Sequence, residues 1–519
     1  MKKTKNQEIF RRDFLKGLTA LPFLGYFGFG FKDNIEKELL GKQKDPKEML
    51  RIDSFDAIRE KLSQRTGSES SRIKVGLVGH GWRGENLLNS LGYFHPEYVE
   101  KMRADTIYDR WLSYQKWHEN LFVDITGICD TFSIHADRGM EVAQNDVRGK
   151  SSGNAFVKLY PNYRELIASN DVDAIIVATP DHMHVPIAVE AAKAGKHIYL
   201  EKPMAHSIEE AVQLRDAVKK TGVVLQVGHE NRQQMSFKLG RELYQKGVLG
   251  TVSMVQTFTN RNSQFGAWIR ERKFDSLGTP ENINWKEFLG TAPWNEFDTK
   301  RYFNWQRYND YGTGMVGNDF SHTYDCINQV LELGIPESVM AFGGQYYYNV
   351  GKDDMPDVFN AMFSYPERGL TMTYDGTLKS GIYRQSRILG SESTMDIDRA
   401  IMLFKDTYSE RYKDVPESPD DPFYYYAPNT NANVDAVSSA TSKSYFKSGY
   451  GPTYIDGKVI DATFLHLKEW VDVIRTNGKT SCNEDVGFEE AVTFNMANLS
   501  YAHKKPIHWD KANETVIIG

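Results

Sequence analysis

One stretch, "RIKVGLVGHGWRGENLL" (residues 72–88), constrains the fold of this chain more than any other. Residues 73–78 are a short apolar run of β character, and a helical pattern begins where the glycines end. Between them Gly79, Gly81 and Gly84 give the spacing G-x-G-x-x-G. Gly79 permits the tight turn, Gly81 lets backbone approach a pyrophosphate, and Gly84 lets helix pack on strand. The helix N-terminus then offers free N–H groups and its positive dipole end to phosphate oxygens. The motif alone is weak, but its strand–turn–helix setting predicts a dinucleotide site, with Trp82 and Arg83 of the same loop at the coenzyme.

A second strand, "FVDITGICD" (122–130), ends in Asp130. A carboxylate there accepts hydrogen bonds from ribose 2′- and 3′-hydroxyls and repels a 2′-phosphate, which favours NAD over NADP. Asp130 comes later than usual because residues 93–120, aromatic and charged, read as an insertion; helix capping is its alternative role. Further on, "DAIIVATP" and "HIYLEKP" read as strands, "HVPIAVEAAKAGK" as a helix, and "SIEEAVQLRDAVKKTG" as a helix opened by Ser207 with Glu210 at capping-box spacing. "VVLQVGH" is read as a sixth strand. This alternation implies an α/β protein with a doubly wound parallel sheet, whose ligands bind beyond the carboxyl ends of the strands. Those ends carry Gly79–Gly84, Asp130, Thr179-Pro180, Glu201-Lys202-Pro203 and Gly228-His229.

The chain has 519 residues, enough for two or three domains, and a net charge of −6, which argues against nucleic acid or an anionic membrane surface as partner. Cys129, Cys326 and Cys482 form no disulfide framework and have no metal-ligand spacing, so they read as buried thiols and no metal site is expected. At the N-terminus, Arg11 and Arg12 lie in R-R-x-F-L-K ahead of the apolar run 17–31. That pattern predicts a twin-arginine export signal, use of the twin-arginine machinery and a periplasmic location. The run has fifteen residues with Pro22 inside it, short of the roughly 20 that span a bilayer, so membrane anchoring is expected only through a retained signal.

The ordered set G-x-G-x-x-G, "ATPDHMH", "EKP" and "VGHENR" resembles the Gfo/Idh/MocA (glucose–fructose oxidoreductase/inositol dehydrogenase) family over roughly residues 72–515. "INWKEFLGTAPW", "RYFNWQRYNDYGTGMVGNDFSHTYD" and "FLHLKEWVDVIR" look like its secreted, sugar-directed branch. The resemblance implies an N-terminal Rossmann domain and a C-terminal α/β domain with an open, mostly antiparallel sheet, often an oligomer interface, so a homo-oligomer is expected. It implies the Lys of "EKP" at the reacting hydroxyl, here Lys202, with Pro203 in a cis-proline-type turn. It also implies an Asp four residues before a His: His322 matches, but Asn318 stands where the Asp belongs. Asp319 is adjacent and Asp325 one turn on, either a partial substitute, although a helix turns ~100° per residue and Asp319 need not point the same way.

The expected layout is a signal over 1–31, a linker over 32–72, the Rossmann domain over 73–204, a substrate domain over 205–505 and a tail over 506–519. Residues 406–457, polar and Tyr-rich, read as an inserted loop, either a substrate lid or a surface insertion. Hydride transfer from a sugar carbinol needs the C–H over the nicotinamide, a proton acceptor and a positive partner for the developing alkoxide. Lys202 suits the last role, and His322, which titrates near neutral pH, suits the second. Gly79, Gly81, Trp82, Arg83, Gly84, Asp130, Thr179, Pro180, His184, Glu201 and Lys202 are the expected coenzyme contacts. Arg232, Asn318, Asp319 and Asp325 are the expected substrate contacts, with Asn231 reaching hydroxyls and His182 or His184 touching coenzyme or capping a helix. Of Trp268, Trp285, Trp294, Tyr302, Phe303, Trp305 and Tyr308 most are expected in the core and a few at a cleft rim, where sugar C–H faces stack on rings.

The expected function is NAD(P)-dependent oxidation of a hydroxyl on a sugar or cyclitol. An exported protein meets little free NAD, so the coenzyme is expected to stay bound and to return to its starting state each cycle. The alternatives are an NAD-dependent glycoside hydrolase working by oxidation, elimination, addition and reduction, and a non-catalytic sugar-binding protein.

Overall fold

The computed structural model describes residues 71–104, 119–148, 156–262, 274–348, 355–415, 422–426, 452–455 and 458–519, with Leu50, Gly67 and Ser68. The export-signal reading of 1–31 and most of the linker and of the 406–457 segment lie outside the described residues. Residues Asp56–Gly519 make up one compact unit.

A six-stranded parallel sheet is built from β1 (Ile73–Val78), β2 (Val123–Cys129), β3 (Lys158–Leu159), β4 (Ala174–Val177), β5 (His197–Leu200) and β6 (Leu225–Val227). Its order is β3-β2-β1-β4-β5-β6, so the winding reverses between β1 and β4. That switch point opens a crevice at the carboxyl ends of the two central strands. Strands β2 and β4 are buried at every position, as parallel strands covered on both faces must be. The helices of this part are α1 (Trp82–Leu91), α2 (Pro96–Ala104), α3 (Ser133–Gln144), α4 (Tyr163–Ala168), α5 (His184–Lys193) and α6 (Ile208–Thr221). Helix α6 begins with the expected capping box: Ser207 Oγ accepts from Glu210 N at 3.2 Å and Glu210 Oε2 from His206 N at 3.0 Å. The parallel sheet continues to Val227, beyond the boundary expected at 204. The 93–120 insertion contributes α2, in a small core of Phe94, Val99 and Met102.

The second sheet has ten strands: β7 (Val252–Asn260), β8 (Ser338–Gly344), β9 (Val358–Tyr365), β10 (Leu370–Thr377), β11 (Ser386–Gly390), β12 (Ser393–Ile397), β13 (Ile401–Lys405), β14 (Tyr424–Tyr426), and β17 (Ile507–Asp510) with β18 (Thr515–Ile518). Strands β15 (Pro452–Ile455) and β16 (Lys458–Asp461) pair separately. Only the β7–β10 pair of the large sheet is parallel. Residues 507–518, expected as a tail, form its edge hairpin. Along β9 the pattern alternates: Phe359, Ala361, Phe363 and Tyr365 are buried while Asn360 and Met362 are exposed, so one face is a core and the other faces solvent.

Helices α7 (Met235–Gln245), α8 (Trp285–Leu289), α9 (Thr299–Phe303), α10 (Ser321–Leu331), α11 (Ala462–Thr476) and α12 (Glu484–His503) complete the fold. Late in the chain, α11 returns to the first sheet, and its Phe464, Leu467, Trp470 and Val471 share a core with Val75, Leu77, Ile176 and Tyr199. Among the described residues no helix is long and apolar enough to cross a membrane.

Candidate functional site

Two of the three glycines avoid clashes with backbone, and the third borders open space. Gly79 has φ +90°, and a Cβ there would sit 2.6 Å from the Ala178 carbonyl oxygen. At Gly84 a Cβ would lie 2.1 Å from the Gly79 carbonyl oxygen, so the helix can approach the turn only without a side chain. At Gly81 a Cβ would meet nothing within 4 Å. Gly81 is the N-cap of α1, and no side chain caps that helix. The open space therefore lies at the N-terminal end of α1, which is the cradle a pyrophosphate needs. Asp130 lines the same cleft. Its Oδ2 accepts from His80 N at 2.6 Å and its Oδ1 from Phe132 N at 2.8 Å, so it fixes both the glycine loop and the turn into α3. Burial raises its pKa from the usual carboxylate value, and His135 opposes the rise.

Lys202 and His322 line the same cleft. The Lys202–Pro203 peptide bond is cis. His184 braces this turn: Nδ1 lies 2.7 Å from Pro203 O and Nε2 2.9 Å from Thr179 O. Lys202 Nζ donates to the backbone carbonyl of Asn318 at 2.9 Å. Asn318 belongs to a π-helical turn, Val316–Phe320, that runs directly into α10, with His322 in the first turn of α10. Widened turns of this kind are rare and recur at functional sites. His322 is held well below the ordinary imidazole pKa, by burial first and then by the charges of Lys202, His229, Arg83 and Arg261. It is thus neutral at pH 7.

Behind these groups lies a buried charge network. The His229 ring meets His322 edge to face, centroids 5.4 Å apart, and His229 Nε2 lies 2.5 Å from Glu490 Oε2. Burial alone would lower the pKa of His229, but Glu490 and Asp325 raise it above the ordinary value. Arg232 Nε reaches Asp325 Oδ1 at 2.7 Å and Oδ2 at 2.9 Å. Arg83 turns inward, with Nε on Glu201 at 2.7 Å and Nη2 on Glu230 at 3.0 Å. His229, Asp325 and Glu490 bring ligand-type atoms within 4.8 Å of one another. Arg232 and His229 already meet these carboxylates, so the cluster is internally paired.

The cleft gathers Gly79, Gly81, Trp82, Arg83, Asp130, Thr179, Pro180, Glu201, Lys202, Asn318 and His322. Gly84 and His184 support it from beneath. Arg232 and Asp325 sit behind it as an ion pair, and Asp319 pairs with Arg261 at 2.6 Å. Asn231 accepts from Gln234 Nε2 at 2.8 Å, and His182 faces Phe288 O at 2.8 Å. The sequence reading missed Thr131, His135, Tyr163, Phe288 and Gln306, which also line the cleft. Their only signal was position after a strand end or within the aromatic stretch. Residues 274–313 strap this wall to the first domain. Ser133 N donates to Asn282 O at 2.9 Å, Asn284 N to Thr131 O at 2.7 Å, and Thr313 Oγ1 to Asp181 Oδ2 at 2.6 Å. Tyr302, Phe303 and Trp305 form the cleft's aromatic side.

Residues 73–229 match the model of the Gfo/Idh/MocA oxidoreductase family with an NAD-binding Rossmann fold. An uncharacterized oxidoreductase of Bacillus subtilis is 27% identical over 264 residues, 49% of this chain and 67% of the relative. A glycosyl hydrolase family 109 protein of Shewanella sp. strain MR-4 is 36% identical over 102 residues, 19% of this chain and only 21% of the relative. Among solved structures, a levoglucosan dehydrogenase in complex with NADH and levoglucosan aligns with TM-score 0.55 at 16% identity, covering 84% of this chain and 99% of that one. That likeness extends to both sheets, whereas the family match ends where the parallel sheet does. Residues 73–229 are thus similar, in sequence and in fold, to the NAD-binding Rossmann domain that this family model describes.

Proposed function

We propose that the chain oxidises a secondary hydroxyl of a sugar or cyclitol with NAD held in this cleft. The observation that carries this reading is that Lys202 and His322 line the same cleft as Gly79 and Gly81. When bound, the nicotinamide supplies the hydride acceptor. The uncapped N-terminus of α1 holds phosphate, Asp130 takes ribose hydroxyls, and Glu201 with Arg83 fixes the strand end that presents Lys202. His322, neutral, accepts the hydroxyl proton as the C–H bond breaks with its electron pair and the C=O bond forms. Lys202, steered by the Asn318 carbonyl, offsets charge on the reacting oxygen. A placed acid–base group of this kind contributes roughly 10²–10⁴-fold in rate. The aromatic wall excludes water and offers ring faces to sugar C–H groups. Support for a carbohydrate substrate comes from two neighbours, one bound to levoglucosan and one a glycosyl hydrolase.

The proposal extends to location and assembly. The Arg11–Arg12 motif supports twin-arginine export to the periplasm, with NAD captured before export and retained through turnover. The solvent face of the ten-stranded sheet, where Met254, Phe342 and Met362 are exposed, supports a homo-oligomer. A second reading, net glycoside hydrolysis by oxidation, elimination, addition and re-reduction, is favoured by the hydrolase match and by Asn318 replacing the expected Asp. Incubating purified protein, without added nucleotide, with an aryl glycoside and a sugar panel separates the two. A keto-sugar product supports the oxidoreductase, released aglycone the hydrolase, and neither product contradicts both.

A further inference from the structure

Gln306, on the turn Trp305–Arg307, donates from Nε2 to Asn318 Oδ1 at 2.9 Å. Asn318 is 6% exposed, lines the cleft, and its Nδ2 has no partner among the described residues. A buried amide donor left unpaired beside a ligand cleft costs free energy unless a ligand completes it. The same residue's backbone carbonyl steers Lys202 Nζ at 2.9 Å, and among the described residues no carboxylate pairs with Lys202. The three functional groups therefore divide unequally: Lys202 Nζ and Asn318 Nδ2 are donors, and neutral His322 is the acceptor.

We propose that Asn318 is a hydrogen-bond donor to the substrate's reacting oxygen, preset by Gln306, so that this site selects an oxygen that only accepts. The inference rests on the oxidoreductase reading above and deepens it. A hydroxyl entering the site gives its proton to His322, and its lone pairs receive Lys202 and Asn318. Once the C=O bond has formed, that oxygen has no proton to place and satisfies both donors. An Asp at this position would compete for the same proton and neutralise Lys202. Asn does neither, so the site favours the carbonyl form of the bound substrate. Gln306 is the positioning residue, because its amide decides which end of Asn318 faces the cleft.

The test uses the full chain with its bound NAD, following nicotinamide reduction in a single turnover with a panel of sugars and cyclitols. In Gln306→Glu the new side chain only accepts, so Asn318 turns Nδ2 toward it and presents Oδ1 to the substrate. The rate is expected to fall on the order of 10²-fold, the scale for losing one donor to a developing oxyanion, with NAD content unchanged. Asn318→Asp is expected to be slow at neutral pH and to recover as pH falls and the new carboxyl becomes protonated and able to donate. A purely structural role would not produce that inverted pH profile. A gain in rate for Asn318→Asp at neutral pH, or an unchanged rate in Gln306→Glu, overturns this inference alone. A wild-type protein whose NAD no panel compound reduces overturns the oxidoreductase reading and this inference with it.

Discussion

At the residue scale, the glycine loop makes a sharp contrast. Gly84→Ala places a methyl 2.1 Å from a backbone oxygen that cannot move independently of the turn. It is expected to cost about 3 kcal/mol or more of stability, measurable by denaturant unfolding. Gly81→Ala meets no protein atom within 4 Å. It is expected to fold with wild-type stability and to purify with little or no NAD, because the methyl occupies the path of the phosphates. The roles of these glycines were legible in the sequence, because local backbone geometry and dihedral demand are short-range properties. Lys202 and His322 were legible only through the order of motifs. The Gln306–Asn318 amide pair, Arg83 between Glu201 and Glu230, and His229 against Glu490 were not legible. Each joins residues brought together by tertiary folding, and nothing in their local spacing records the partner.

At the scale of elements, the strap 274–313 shows how the aromatic stretch serves the site. Its Phe288, Tyr302 and Tyr311 share a core with Phe132 from the first domain, while Thr131 Oγ1 and Tyr302 OH meet at 2.8 Å. Of the rings read as mostly core, Trp285 and Tyr302 are buried and Phe303, Trp305 and Tyr308 pack half-buried against them, whereas Trp294 is 74% exposed and does not line the cleft, and Trp268 lies outside the described residues. Strand β3 escaped the sequence reading: two exposed residues at a sheet edge carry no periodicity. His182 fastens the strap, and burial holds its pKa down to about 4 against an ordinary 6.5. The unfolded chain takes up this proton near pH 6.5 while the native chain refuses it until about pH 4. The His182 contribution to stability is therefore complete above pH 6.5 and is lost as pH falls through that window. Between pH 7 and pH 5 wild type is expected to lose about 2 kcal/mol more than His182→Gln. Denaturant titrations at both pH values check this; equal losses contradict it.

At the scale of the whole molecule, two sheets divide the labour. The parallel sheet brings its strand ends to one crevice, and the antiparallel sheet supplies a helix-covered face that carries Asn318 and His322 into it. The α/β class and the two-sheet plan were legible, because the alternation of strands and helices and the motif order both report them. The return of α11 to the first sheet was not, since only long-range packing of Trp470 on Tyr199 reveals it. The exposed face of the large sheet carries a prediction of its own. Met362→Arg is expected to convert the assembly to a folded monomer by light scattering, with thermal stability of the monomer little changed, because Met362 is 55% exposed. A monomeric wild type contradicts the proposed assembly.

The central claim is that Gly79, Gly81, Lys202 and His322 form one working site around NAD. It is tested most directly by denaturing the purified full chain, identifying the released nucleotide by mass, and following nicotinamide reduction when sugars are added to the intact protein. The account predicts NAD bound in near-stoichiometric amount and reduced by at least one sugar or cyclitol. It also predicts that Lys202→Met retains the nucleotide but reduces it at least about 10²-fold more slowly. Protein that carries no dinucleotide and binds none, or a Lys202→Met variant that turns over at the wild-type rate, would contradict it.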